Sequence, residues 1–60
     1  MSARILVVDD EPQLGRLLAT TLGARGYDVA VAVDGPAALA QAASWQPDVV
    51  LLDLGLPGMD

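Results

Sequence analysis

Sixty residues allow one small domain at most, and a chain this short buries only about 60% of the surface it exposes when unfolded. Cysteine and histidine are both absent, which removes disulfides, thiolate chemistry and the commonest metal ligand and general base, so any metal would be held by oxygen alone. Eight acidic residues against three arginines, with no lysine, give a net charge of −5 and a pI near 4.1, which argues against nucleic-acid binding by this segment. The elements then follow in chain order. Ile5-Leu6-Val7-Val8 is an apolar run without alternation, the pattern of a strand covered on both faces. It ends at Asp9-Asp10-Glu11. Pro12 suits the first turn of a helix, where its missing N–H is not needed, and Leu14, Leu17, Leu18 and Leu22 recur at helical spacing up to Gly23 or Gly26, which makes them the expected core side of that helix.

Gly26 is a candidate for the left-handed position past the helix end, and the alternation of Tyr27, Val29 and Val31 predicts a second strand. Asp34-Gly35-Pro36 reads as an N-cap and helix entry ahead of an alanine-rich helix over Ala37 to Ser44, with Trp45 just beyond it as a partly buried ring closing the helix end. Pro47 bars further helix, and Val49-Val50-Leu51-Leu52 is a second apolar strand without alternation, ending at Asp53. Asp28 and Asp48 read as solvated residues at strand starts. The order β-α-β-α-β with short connections implies parallel pairing, right-handed crossovers and helices on both faces. No linker or repeat divides the chain.

If the two non-alternating strands are neighbours, Asp9, Asp10 and Asp53 emerge at one carboxyl edge, where open α/β sheets place ligands. Three carboxylates so placed repel one another unless a cation intervenes, and oxygen-only ligation suits Mg²⁺ better than Zn²⁺. The alternative for Asp9-Asp10-Glu11 is an acidic helix start favoured by the helix dipole, and for Asp53 a simple loop start. No glycine-rich phosphate loop is present, since Gly23 and Gly26 close a helix rather than open one.

The stretches ILVVDDEP, VAVDGPAAL and PDVVLLDLGLPGMD resemble, in order and spacing, the first half of the receiver domain of bacterial two-component response regulators. The resemblance covers essentially the whole chain. It implies a flavodoxin-like, CheY-like α/β half domain with parallel strands in the order 2-1-3, residues 1–60 being the N-terminal half of a truncated receiver. It further implies that Asp53 accepts the phosphoryl group, that Asp9, Asp10 and Asp53 with the backbone carbonyl of Gly55 hold Mg²⁺, and that Pro57 and Gly58 shape the following loop. The partner so implied is a sensor histidine kinase. The wording LLDLGLPGMD is most similar to the winged-helix transcriptional class, including regulators of potassium uptake, so DNA would be reached only through an output domain outside this chain.

Complete receivers add a fourth strand ending in Ser or Thr, an aromatic switch and a fifth strand carrying Lys, none of which has a counterpart here. Two other readings therefore stand beside the signalling one. The chain is a half-domain folding or assembly fragment without phosphotransfer, or a Mg²⁺-dependent phosphohydrolase, although such enzymes place an acid two residues after the nucleophile and Gly55 stands there. As a receiver it is a phosphoacceptor, not an enzyme, and the isolated chain is expected to be inactive. The third strand would form an edge, which predicts a homodimer or higher oligomer. No apolar run approaches the roughly 20 residues of a membrane span, and Ile5 to Val8 is too short for a signal-peptide core, so a cytoplasmic location is expected.

Overall fold

The computed structural model of the chain describes residues 2–52. Three strands and two helices follow in the predicted order: β1 (Arg4–Val8), α1 (Pro12–Gly23), β2 (Asp28–Ala32), α2 (Gly35–Trp45) and β3 (Val49–Leu52). The sheet is wholly parallel with the order β2-β1-β3. β1 is central, and its apolar run is buried from Ile5 to Val8, as two-sided cover requires.

Alternation along β1 sends its side chains to two different layers. Leu6 and Val8 join Ala32 in a buried cluster against which Ala30, Ala37, Ala38, Ala42 and Trp45 pack, so α2 covers this face. Val7 lies on the other face, together with Leu14 and Leu18 of α1. The chain steps from β1 out to β2, then back past β1 to β3. Two crossovers of one hand in opposite directions must lie on opposite faces, which is the arrangement seen. Among the described residues, no helix is long and apolar enough to cross a membrane.

The inward side of α1 differs from the leucine stripe. Leu14 and Leu17 are 39% and 61% exposed, whereas Gly15 is buried and Leu18, Ala19 and Leu22 are half-buried. Positions 15, 18, 19 and 22 are themselves helically spaced, but two of them are too small to register as apolar anchors. Gly15 is the point of closest approach. A Cβ built on it would stand 2.7 Å from Val31 Cγ1, a separation carbon atoms do not tolerate. Helix propensity alone favours Gly→Ala by about 1 kcal/mol, but overpacking a close contact costs about 1–3 kcal/mol, and a β-branched valine has little freedom to turn away. Gly15→Ala is therefore expected to lower stability by about 1 kcal/mol, while Gly23→Ala, which meets nothing within 4 Å, is neutral or stabilising. Urea unfolding of both variants checks this, and equal midpoints would remove the close-approach argument.

The helix ends follow local chemistry. Pro12 occupies the first turn of α1, and Gly26 takes the left-handed conformation with φ 95°, as its position after the helix suggests. Asp34 caps α2 by accepting the Ala37 N–H at 2.7 Å. α2 is longer than the sequence suggests, because Gly35 and Pro36 form its first turn and Trp45 is its last helical residue rather than a residue beyond it. The half-buried ring does pack against the α2-side core.

Candidate functional site

The carboxyl end of β1 runs directly into the acidic residues. Asp9 is 1% exposed, and its N–H donates to the Ala32 carbonyl at 2.9 Å, which carries the β1–β2 ladder one residue past Val8. Its Oδ1 accepts the Glu11 N–H at 2.8 Å, closing a side-chain turn that bends the chain from β1 toward α1. A buried carboxylate needs such partners. None of the buried side-chain polar atoms among the described residues lacks a hydrogen bond. Asp10 and Glu11 are exposed at the same edge. The acidic helix-start reading therefore holds in part: these residues precede α1, but Asp9 turns inward instead of facing solvent.

On the other side of β1, the parallel register pairs Ile5 with Val49, Leu6 with Val50, Val7 with Leu51 and Val8 with Leu52. The final pair matters most. Leu52 stands beside the residue that precedes Asp9, and Asp53 is the next residue in the sequence. The crevice between β1 and β3 is also where the chain reverses its progress across the sheet, the position at which open α/β folds bind ligands. A groove of about 270 Å³ opens there, with Asp9, Leu14, Leu18, Leu51 and Leu52 on its walls. Asp53, Gly55, Pro57 and Gly58 lie outside the described residues. Among the described residues, no three acidic side chains gather closely enough to hold a metal ion.

One pair escaped the sequence reading. Asp48 is exposed, as expected of a strand start, yet it is not simply solvated: its Oδ2 accepts the Arg4 N–H at 2.8 Å and its own N–H donates to the Arg4 carbonyl at 2.8 Å. The Arg4 guanidinium donates to the Trp45 carbonyl at 2.7 Å and sits 5.8 Å from the Trp45 ring centroid. The available signal was positional, since Arg4 and Asp48 each stand at the start of an apolar run.

A parallel three-stranded α/β sheet in the order 2-1-3, with an acidic pair at the carboxyl end of its central strand, defines the class as a flavodoxin-like half sheet. Residues 5–60 match the response regulator receiver domain, and the chain belongs to that family. It is 58% identical over its full length to the response regulator PleD of Caulobacter vibrioides, of which it covers 13%. It is 56% identical over 55 residues to the transcriptional regulatory protein KdpE of Mycobacterium tuberculosis, with 92% of this chain and 24% of that protein aligned. Among solved structures, the chemotaxis response regulator CheY4 of Vibrio cholerae superposes with a TM-score of 0.86 at 37% identity, over 98% of this chain and 49% of that one. The chain thus spans a quarter or less of these curated relatives, and about half of the solved neighbour.

Proposed function

We propose that residues 1–60 are the amino-terminal half of a receiver domain whose Asp53 accepts a phosphoryl group from a sensor histidine kinase. The observation that carries this reading is the β1–β3 register: Val8 pairs with Leu52, so Asp9 and Asp53 each follow one member of that pair. An Asp53 carboxylate oxygen attacks the phosphorus of a phosphohistidine, the phosphorus–nitrogen bond breaks with its electron pair passing to the imidazole, and an acyl phosphate forms. Such a transfer needs little covalent help from the protein, and positioning and charge compensation dominate it.

Charge compensation is the harder requirement, because nucleophile and phosphoryl group are both negative and the chain has no lysine. The donors present are all oxygens, which fits a hard divalent cation. Asp9, Asp10, Asp53 and the Gly55 carbonyl would hold Mg²⁺, whose chemistry is to screen this repulsion. Asp9 contributes a carboxylate already oriented by Glu11, and exposed Asp10 can adjust to a ligand. The domain is then a regulatory phosphoacceptor acting in the cytoplasm. A transcriptional output through a part outside this chain is supported by the similarity to KdpE.

Titration of the chain with Mn²⁺, followed by paramagnetic line broadening, tests the metal site. Weak, saturable broadening centred on Asp9 and Asp10 is expected in the parent chain, and it should be lost in Asp10→Asn. Equal affinity in both would remove the site.

A second reading, a half-domain that assembles without phosphotransfer, draws support from β3, whose four residues are all exposed. An open strand edge with apolar neighbours favours self-pairing. On this reading sedimentation finds a homodimer or larger species, whose dissociation on dilution is accompanied by loss of the circular dichroism signal. A monomer that unfolds cooperatively at the lowest concentration sinks it.

A further inference from the structure

We propose that the reciprocal bonds between Arg4 and Asp48 fix the register of β3 on β1, which makes these two residues positioning residues for Asp53. The sequence of β3 cannot set that register by burial. Val49, Val50, Leu51 and Leu52 are 46%, 48%, 39% and 55% exposed, so neither face of the strand is the buried one. A slip of one residue, which normally turns a strand inside out, here exchanges apolar for apolar on both faces. The two helices rest on β1 and β2 rather than on β3, leaving open grooves between β3 and each helix.

The degeneracy ends at the amino edge. Only Asp48 offers both a backbone donor to the Arg4 carbonyl and a carboxylate for the Arg4 N–H. A slip in one direction brings Pro47 to that place, and proline has neither the N–H nor the acceptor side chain. A slip in the other brings Val49, whose N–H can donate but whose side chain leaves the Arg4 N–H without its partner. Arg4 also holds the end of α2 through the Trp45 carbonyl, and only Gln46 and Pro47 separate Trp45 from Asp48. Gln46 is left-handed at φ 54° and proline is fixed in φ, so this two-residue connection has little slack to absorb a shift. Both ends of the connection are tied to the same residue.

The functional consequence rests on the phosphoacceptor reading. With Leu52 beside Val8, Asp53 is the next residue in sequence after one member of that pair and Asp9 the next after the other, whereas a one-residue slip would pair Val8 with Leu51 or with position 53.

The test is the interstrand nuclear Overhauser pattern and amide exchange of the 60-residue chain, compared with Asp48→Ala and Asp48→Asn. The parent chain should give one set of β3 signals connecting Val7 with Leu51 and Val8 with Leu52. Asp48→Ala should split the β3 signals into more than one register or speed their exchange at least tenfold, while the Ile5–Val29 and Val7–Val31 contacts between β1 and β2 persist. Asp48→Asn keeps an oxygen acceptor and should restore the single set. A single native register in Asp48→Ala overturns the proposal. So does loss of the β1–β2 contacts together with those of β3, because Asp48 would then support the sheet as a whole, and so does failure of Asp48→Asn to rescue. The phosphoacceptor reading is scored separately, by acyl phosphate on Asp53, and its failure leaves the register result as measured.

Discussion

Asp53→Asn is expected to abolish phosphorylation outright. In a longer protein that carries this chain together with the remainder of a receiver domain, acetyl phosphate and Mg²⁺ should convert the parent to an aspartyl phosphate, and the asparagine variant should take up none. The reason is chemical: a carboxylate can attack phosphorus and release an acyl phosphate, whereas a neutral amide is too poor a nucleophile for the step. The same reagents should modify the 60-residue chain slowly or not at all, since it contains no lysine to hold the phosphoryl oxygens. Borohydride trapping followed by mass spectrometry locates the modified residue. Label on any residue other than Asp53, or equal labelling of the asparagine variant, refutes the assignment, and rapid labelling of the short chain would show that its own residues suffice.

Where the sequence speaks through large apolar residues or special backbone chemistry, it is legible. The unalternated Ile5–Val8 run announces a strand buried on both faces, Pro12 and Asp34 mark helix starts, and Gly26 marks the left-handed turn. The contact line of α1 is legible only in Leu18 and Leu22, for a complementary reason. Gly15 and Ala19 contribute by what they lack, and a hydrophobic stripe cannot register a residue whose value is close approach. Trp45 was displaced by one position because helix boundaries depend on hydrogen bonds that composition does not encode. Asp48 shows a further limit, since a carboxylate at the start of a strand looks the same whether it faces water or answers the backbone of a residue 44 positions away. The acidic pair at the end of β1 was legible as a pair, but only the fold separates Asp9, turned inward onto Glu11, from exposed Asp10.

Leu6→Ala is expected to unfold much of the population, while Leu17→Ala should change almost nothing. Leu6 is 0% exposed, in the middle of the central strand, and its cluster holds Val8 and Ala32 with Trp45 and four further alanines, Ala30, Ala37, Ala38 and Ala42, packed against it. Alanines cannot extend to refill the space a leucine leaves, so the deletion costs both the lost transfer energy and a cavity, about 2–5 kcal/mol together. A chain of this length holds roughly 3–9 kcal/mol in total at typical values per residue, and the open β3 edge places it low in that range. Leu17 has the same side chain and helical periodicity, but it is 61% exposed, and its truncation should stay within about 0.5 kcal/mol. Thermal unfolding followed by circular dichroism, at one fixed concentration, separates the two. A Leu17→Ala loss comparable to that of Leu6→Ala would mean that α1 turns Leu17 toward the sheet after all, and the contact line through Gly15, Leu18, Ala19 and Leu22 would have to be abandoned.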